Sequence, residues 1–276
     1  MSACFAGIDS GSWNTKVAVI DASDAHVLGT AVVRSAADLP GAADRALGDA
    51  LAAARRARED VIAIWSTGFG RRSVTGAAGS RTELDCHARG VSRFVEGPLT
   101  IVDIGGQDAK VIRLDANQRR LSHKMNRKCA AGTGSFLEEI ALRLGVGIAD
   151  LGRLASGYQE ELELGSFCTV FAGTELLSLI RAGKRPADLA RAAYRSLVRR
   201  VLEMDVLEGR VVATGGVVAH HPMVVELLER ALGLAVVVPP HAQEIGAVGA
   251  ALGAKEAWSG GGSGANEIGR QANQGS

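Results

Sequence analysis

Two cysteines stand where the chain favours ionised thiols. Cys129 lies just before a Gly-Thr-Gly turn, and the apolar residues after that turn recur at helical spacing until Gly145 supplies a stop. Cys168 also precedes an apolar helical run. Unpaired N–H groups and the positive end of the dipole at a helix N-terminus favour a thiolate. Each cysteine is therefore a candidate nucleophile, redox thiol or metal ligand.

A second set of polar residues lies in two turns of similar sequence. Asp9-Ser-Gly-Ser-Trp-Asn-Thr-Lys16 joins two apolar runs, and so does Asp103-Ile-Gly-Gly-Gln-Asp-Ala-Lys110. Five of thirteen aligned positions are identical, namely Asp9 and Asp103, Gly11 and Gly105, Lys16 and Lys110, Val17 and Val111, and Asp21 and Asp115. The repeat predicts a duplicated β-hairpin, and hence two similar domains whose turns face one another.

These turns have the residues of a phosphate site. One such turn alone is an ordinary β-turn, but the pair, together with Thr214-Gly-Gly216 after a third strand, favours nucleotide binding. Glycine turns with hydroxyls and a lysine can present N–H groups to phosphate oxygens. Asp9 and Asp103 could converge on a hydrated magnesium ion and support phosphoryl transfer. The sequence lacks the P-loop motif and the dinucleotide-binding glycine motif after a strand, so those folds are poorly supported.

The elements around these residues predict an α/β architecture with a cleft between two halves. Each half begins with strands and continues with helices. The predicted strands cover residues 5–9, 17–21, 25–33, 61–65, 99–103, 111–115, 211–213 and 235–238. The predicted helices cover 41–57, 136–144, 150–155, 186–207 and 243–257, with one more from the Cys168 segment to about residue 182 and one from the Gly216 turn to residue 232. We expect an N-terminal domain of residues 1–97 joined by the helix 243–257, a second domain of residues 98–242 with both cysteines, and a flexible Gly/Ser-rich tail at 259–276.

Composition excludes several classes of protein. The net charge is +1 and no basic stripe with aromatic residues occurs, so nucleic acid is not an expected partner. Four cysteines in 276 residues are too few for a disulfide scaffold, and no run approaches the roughly 20 apolar residues that span a bilayer. We therefore expect a reduced, cytoplasmic protein without membrane contact. Cys4 and Cys86 are interpreted as structural, and His220 and His221 as solvated residues at a helix start.

Six motifs carry a resemblance to a known family. They are Ser66-Thr-Gly-Phe-Gly-Arg71, Thr82-Glu-Leu-Asp-Cys-His-Ala-Arg-Gly90, Asp103-Ile-Gly-Gly-Gln-Asp-Ala-Lys110, Lys128-Cys-Ala-Ala-Gly-Thr-Gly134, Cys168-Thr-Val-Phe-Ala172 and Gln243-Glu-Ile-Gly-Ala-Val-Gly-Ala250. The chain resembles the BadF/BadG/BcrA/BcrD-type iron-sulfur ATPases, which activate 2-hydroxyacyl-CoA dehydratases or serve benzoyl-CoA reductase. They belong to the superfamily of actin, Hsp70 and the sugar and acetate kinases, which implies a duplicated ribonuclease H-like α/β fold.

The resemblance implies cofactors, partners and site residues. Cys129 and Cys168 from each of two subunits, identical or paralogous, would hold one [4Fe-4S] cluster. ATP hydrolysis with Mg²⁺ would drive a low-potential electron from reduced ferredoxin or flavodoxin into an acyl-CoA dehydratase or reductase. Asp9, Asp103, Gln107 and Glu83 are the candidate catalytic residues, with Gln107 or Glu83 orienting the attacking water. The candidate nucleotide-binding residues are Ser10, Gly11, Ser12, Thr15, Lys16, Gly105, Gly106, Gln107, Asp108, Gly132, Thr133, Gly134, Gly215, Gly216 and Gln243.

The sequence departs from the family pattern at two positions. Arg127 stands where the family commonly has an acidic residue, and Thr174 stands where it commonly has serine.

Two other functions are compatible with the same superfamily. A small-molecule kinase would need a substrate-binding aspartate and no cluster. An ATP-gated interaction module would bind ATP without a redox change. The cysteine pair favours the electron-activating ATPase over both alternatives.

Overall fold

The computed structural model describes residues 3–126, 130–165 and 169–260. The chain divides into two compact units. Unit 1 comprises Met1–Gly90 and Gly246–Ser276, and unit 2 comprises Val91–Ile245. The chain therefore leaves unit 1, builds unit 2 and returns for its last helix.

The described residues contain ten strands and nine α-helices. The strands are β1 (Cys4–Ser10), β2 (Asn14–Asp21), β3 (Val27–Arg34), β4 (Val61–Thr67), β5 (Gly79–Ser80), β6 (Leu99–Ile104), β7 (Ala109–Leu114), β8 (Arg120–Asn126), β9 (Arg210–Thr214) and β10 (Val236–Val237). The helices are α1 (Leu39–Ala54), α2 (Glu83–Ser92), α3 (Gly134–Arg143), α4 (Ile148–Ser156), α5 (Thr169–Arg181), α6 (Pro186–Leu202), α7 (Gly216–His220), α8 (Pro222–Leu232) and α9 (Ile245–Gly260).

Each unit is built on one five-stranded sheet, and the two sheets have the same order. Unit 1 has the order β3-β2-β1-β4-β5, and unit 2 has β8-β7-β6-β9-β10. In both sheets, in the order given, the first two strand pairings are antiparallel and the last two are parallel. The registers also agree, because Asp9 lies opposite Lys16 and Asp103 opposite Lys110. The predicted duplicated hairpin and α/β class are confirmed.

Helices cover both faces of the sheet in unit 1. Every residue of β1 is buried, and its side chains alternate between two apolar clusters. Ala6 and Ile8 pack with the alanine-rich face of α1, whereas Phe5 packs with Ala251 and Ala254 of α9. A strand that is covered on both faces has a continuous run of apolar residues in its sequence, as β1 has near the N-terminus.

One large apolar cluster forms the core of unit 2. It joins β6, β7 and β9 to the inner faces of α3, α4, α6 and α8. Helix α3 buries Phe136, Leu137, Ile140 and Ala141, and Gly145 just beyond it has a φ of +70°. The predicted helix after the Gly-Thr-Gly turn and its stop are therefore confirmed.

Three local predictions differ from the structure. Helix α6 ends at Leu202 rather than Leu207. The helix expected after Gly216 is two helices, because Pro222 cannot donate the backbone hydrogen bond that would continue α7. Strand β8 was not predicted, since five of its seven residues are exposed and it carries no apolar alternation. Among the described residues, no helix is long and apolar enough to cross a bilayer.

Candidate functional site

The first turn, residues 9–16 of unit 1, holds a buried carboxylate beside a lysine. Asp9 is 4% exposed, and the Lys16 ammonium lies 3.2 Å from its Oδ2. The Ser10 hydroxyl is buried and has no hydrogen-bond partner within the described part of the chain. Leaving a buried hydroxyl unpaired costs about 1–3 kcal/mol, so a polar group that bonds Ser10 would be favoured there.

Ser35, which follows β3, holds this turn in shape. Its hydroxyl donates to the Gly11 carbonyl oxygen at 2.6 Å and lies 3.0 Å from the Thr15 hydroxyl. Gly11 is closed to any side chain, because a Cβ there would lie 2.6 Å from a backbone oxygen of the same turn. Ser12, at the tip of the turn, is exposed. The turn therefore has a rigid base and an accessible tip.

Two distant glycines pack on the Asp9 carboxylate within unit 1. A Cβ at Gly68, whose φ is +87°, would lie 2.4 Å from Oδ1, and one at Gly246 would lie 3.3 Å from Oδ2. The Gly246 position would also place a Cβ 3.1 Å from the buried His87 ring. His87 Nδ1 lies 3.0 Å from the Glu83 carbonyl oxygen within α2. These contacts fix where the Asp9 carboxylate sits.

The second turn, residues 103–110 of unit 2, repeats the carboxylate and lysine at greater depth. Lys110 Nζ lies 2.9 Å from Asp103 Oδ2 and 3.0 Å from Asp108 Oδ1. The Thr214 hydroxyl donates to the other oxygen of Asp103 at 3.0 Å. Asp103 and Lys110 are both buried, whereas Gln107 is exposed at the tip. A buried ion pair needs such additional hydrogen bonds to offset its desolvation.

The segment Gly132–Gly134 joins this turn to helix α3. The N–H groups of Gly134 and Ser135 donate to the carbonyl oxygens of Gly105 and Gly106 at 2.9 and 2.8 Å. Gly132 has a φ of +85°, and Thr133 is buried with its hydroxyl bonded to the Ala130 carbonyl oxygen at 2.6 Å. The second turn therefore caps the first turn of α3 through the backbone.

The Gly215–Gly216 turn follows β9 and meets the loop before α9. The Gly215 N–H, with φ at +96°, donates to the Ala242 carbonyl oxygen at 2.8 Å. A Cβ at Gly216 would lie 3.2 Å from Gln243 Nε2. Gln243 Oε1 in turn lies 2.8 Å from His220 Nε2. The structure thus brings together the predicted residues Gly215, Gly216 and Gln243.

The two candidate cluster ligands, Cys129 and Cys168, lie outside the described residues. The other two cysteines, Cys4 and Cys86, are free and buried. Burial raises the pKa of the Cys86 thiol to about 11, which suits a structural residue rather than a thiolate ligand. Within residues 3–126, 130–165 and 169–260, no group of three or more His, Cys, Asp or Glu side chains is arranged as a metal site.

His221 corrects one expectation. His220 is exposed as expected, but His221 is 7% exposed, and its Nδ1 lies 2.7 Å from the Tyr194 hydroxyl. Burial lowers the pKa of His221 to about 4, and burial also raises the pKa of Tyr194. Both side chains are therefore neutral near pH 7. The pair is a part of the unit 2 core, since Tyr194 is fully buried there.

Sequence reasoning missed four residues that hold the site. Gly68 and Gly246 pack on Asp9, Ser35 supports the first turn, and Thr214 bonds Asp103. Gly68, Thr214 and Gly246 do lie in motifs noted from the sequence, but no role was predicted for them. Ser35 and Gly246 lie far from Asp9 in sequence and reach it only through the sheet and α9.

Comparison with protein families gives the identity of the chain. The model of the BadF/BadG/BcrA/BcrD ATPase family matches residues 6–254. The chain belongs to this ATPase family. Of the described strands and helices, the match leaves out only the first two residues of β1 and the end of α9, so both turns and the Gly215–Gly216 turn lie within the family domain.

Relatives of this ATPase family member have similar length and fold. The chain is 36% identical over 256 residues to the (R)-2-hydroxyglutaryl-CoA dehydratase activating ATPase of Acidaminococcus fermentans, covering 91% of this chain and 97% of that one. A solved structure of the activator of the 2-hydroxyisocaproyl-CoA dehydratase from Clostridium difficile with bound ADPNP has 34% identity and a TM-score of 0.87, covering 93% and 96% of the two chains.

A more distant solved structure shares the fold. A ROK family glucokinase from Streptomyces griseus in complex with glucose and AMPPNP gives a TM-score of 0.55 at 15% identity, with 92% of this chain and 100% of that chain covered. This likeness concerns the fold alone. With the two sheets of identical order, it confirms the predicted duplicated fold of the sugar kinase type.

Proposed function

We propose that this protein is an ATP-hydrolysing activator that passes a low-potential electron through a [4Fe-4S] cluster to an acyl-CoA dehydratase or reductase. Membership of the ATPase family supports the ATP-dependent part of this function. The chain's similarity to activators of 2-hydroxyacyl-CoA dehydratases supports a dehydratase as the partner. The cysteine pair Cys129 and Cys168 supports the redox part. Reduced ferredoxin or flavodoxin is the proposed donor.

The observation that carries the proposal is the pair of backbone hydrogen bonds between the second turn and α3. Gly105 and Gly106 belong to the turn with the candidate phosphate contacts, and they accept from the first N–H groups of α3. Cys129 precedes the start of α3 by five residues. A change of charge at this turn on ATP hydrolysis would therefore act on the helix that follows a candidate cluster ligand.

Each turn has its own proposed role in ATP hydrolysis. The N–H groups and hydroxyls of residues 10–15 and the N–H groups of residues 105–108 would bind phosphate oxygens. The unpaired Ser10 hydroxyl fits a phosphate acceptor. Asp9 and Asp103 would bind hydrated Mg²⁺, which commonly takes one or two carboxylates plus water and phosphate oxygens. Lys16 and Lys110 hold these two carboxylates in place. Gln107 or Glu83 would orient the attacking water.

The cysteines supply the donor set that a cluster needs. Four thiolates suit a [4Fe-4S] cluster, and one chain offers two cysteines beside helix starts, so two subunits would hold one cluster. The cluster, when bound, would supply a one-electron carrier. The remaining cysteines do not compete, because Cys4 and Cys86 are buried within unit 1.

The test is the iron and sulfide content of anaerobically purified protein, with its visible spectrum and its rate of ATP hydrolysis. We expect about two irons per chain and a band near ~400 nm, because one four-iron cluster is shared by two chains. Cys129→Ser and Cys168→Ser should each remove the iron and the colour. Cys86→Ser is the matched control, and it should retain both.

A colourless, iron-free protein that still hydrolyses ATP would contradict the electron-transfer function. It would favour the small-molecule kinase instead. Iron retained in both the Cys129→Ser and Cys168→Ser variants would contradict the ligand assignment, even with ATP hydrolysis intact.

A further inference from the structure

We infer that His220 is a positioning residue for nucleotide recognition, because it holds the Gln243 carboxamide in one orientation beside the Gly215–Gly216 turn. The ligand class is the nucleoside part of ATP. The inference rests on the proposed nucleotide contact of this turn and adds a residue that carries no signal in the sequence. His220 would touch Gln243 and not the nucleotide.

A hydrogen bond joins the side chains of His220 and Gln243. His220 Nε2 lies 2.8 Å from Gln243 Oε1. A carboxamide oxygen only accepts, so the imidazole N–H donates in this arrangement. The amide oxygen is thereby engaged, and the NH2 group of Gln243 takes the opposite direction.

The NH2 group of Gln243 lies beside Gly216. A methyl group at Gly216 would come within 3.2 Å of Nε2, so the amide stands directly against the glycine backbone. No described residue accepts a hydrogen bond from Nε2, which leaves two donors for a ligand. Ribose oxygens and the ring nitrogens of adenine are acceptors that these donors would suit.

A Gln243 side chain that is already ordered would bind the nucleotide more tightly than a mobile one. A glutamine side chain has several rotamers, and ordering it when a ligand binds costs affinity. The neighbouring backbone is already fixed, since the Gly215 N–H donates to the Ala242 carbonyl oxygen next to Gln243. The hydrogen bond from His220 also fixes the Gln243 side chain, so its two N–H donors are already oriented before the nucleotide binds.

The experiment measures dissociation constants of MgATP and of magnesium tripolyphosphate by calorimetry. For His220→Ala we expect MgATP binding to weaken about three- to tenfold, the effect of losing one ordinary hydrogen bond. Tripolyphosphate binding should not change, because the nucleoside is absent. His220→Gln should restore most of the affinity, since its amide can donate to Gln243. His26→Ala is the matched control for removing an exposed histidine, and it should bind like the wild type.

A double variant decides whether His220 acts through Gln243. In the Gln243→Ala background, His220→Ala should cause no further loss of MgATP affinity. A persistent loss would overturn the inference, because His220 would then act independently of Gln243. Equal losses for MgATP and tripolyphosphate, or wild-type affinity in His220→Ala, would also overturn it.

The same measurements separate this inference from the proposed function. If the wild type binds MgATP but Gln243→Ala binds it equally well, the assignment of the Gly215–Gly216 turn to the nucleoside is wrong, and the inference fails with it. If the wild type does not bind MgATP at all, the proposed ATP-dependent function itself fails. Thermal unfolding midpoints equal to the wild type would confirm that each variant is folded.

Discussion

Each of the two turns has an aspartate paired with a lysine, but the two lysines differ in how deeply they are buried. The Lys16 side chain is 19% exposed, whereas that of Lys110 is 2% exposed. The buried ammonium has a second carboxylate, Asp108, at the position where the first turn has Asn14. Removing a charge from water costs several kcal/mol, so the deeper lysine needs the larger number of charged partners.

A single histidine sets a pH dependence of stability. The pKa of His221 is about 4 in the folded protein, whereas a histidine in the unfolded chain titrates near ~6.5. Between these values the unfolded chain binds more protons, so the free energy of unfolding falls as the pH falls. The stabilisation is complete above about pH 6.5, and about 2–3 kcal/mol of it is lost by about pH 4.

Urea unfolding of the wild type and of His221→Gln between pH 7.5 and pH 4 would measure this loss. The glutamine variant should lose most of the pH slope in that range, and His26→Ala, which changes an exposed histidine, should keep it. The carboxyl group of Asp188 contributes mainly at lower pH, because hydrogen bonds from the N–H groups of Gln159 and Glu160 lower its pKa and the stability they add is lost only as the pH falls below the usual aspartate value near ~3.9. Equal slopes in wild type and His221→Gln would show that another group titrates.

At the residue scale, the sequence predicted the residues that carry the chemistry better than the residues that hold them in place. The turn residues Asp9 and Asp103 stood out because their spacing repeats. Gly246 lies in one of the family motifs, but its role was not predicted, because the Asp9 oxygen that it packs against is remote in sequence. His221 was mistaken for a solvated residue because its neighbour His220 is exposed and a polar dipeptide gives no sign of which side chain is buried.

At the scale of elements, α9 packs on its neighbours through glycine and alanine. A Cβ on Gly7 of β1 would lie 2.0 Å from the Ala247 carbonyl oxygen, so the helix and the strand approach backbone to backbone. A Cβ on Gly249 would lie 1.8 Å from the Cys86 carbonyl oxygen of α2. Larger residues at these points would push the elements apart.

Gly249→Ala should therefore destabilise the protein by at least about 2 kcal/mol, since backbone atoms of α2 or α9 must shift. Gly48→Ala is the matched control in α1, where nothing lies within 4 Å of the added Cβ. It should stabilise by about 0.5–1 kcal/mol, because alanine is the better helix former. Chemical unfolding midpoints would measure both changes. A neutral Gly249→Ala would mean that the close contact of α9 with α2 does not form in solution.

Element predictions succeeded where one side of an element is apolar. Helix α3 follows from its buried stripe and from Gly145, and α1 from its alanine-rich face. Strand β8 escaped prediction because it pairs along one edge of the sheet and exposes most of its side chains. Its existence follows from the duplication, since the equivalent strand in unit 1 is β3, rather than from its own residues.

At the scale of the whole molecule, the repeat in the sequence proved the strongest signal. Five identical residues in two hairpins predicted what the sheets confirm, namely two copies of one strand order. The last helix belongs to unit 1 although unit 2 precedes it directly, and Ala251 and Ala254 of this helix pack with Phe5 of β1.

This path predicts opposite results for two truncations. Ending the chain after Glu244 removes α9 and uncovers Phe5 and Ile20 on one face of the sheet. It also removes the bond of Lys255 Nζ to the Ser23 carbonyl oxygen and the ion pair of Glu256 with Arg89. Unit 1 should then fail to fold, because burial of that apolar face is lost.

Ending the chain after Gly260 should instead leave stability and ATP hydrolysis unchanged, because the sequence that follows is rich in Gly, Ser, Asn and Gln and has no apolar pattern. Thermal unfolding and limited proteolysis of both truncated proteins would measure the difference. A cooperative unfolding transition of wild-type midpoint in the shorter chain would contradict the role of α9 as a layer of unit 1. A large loss of stability in the longer one would assign a structural role to residues 261–276.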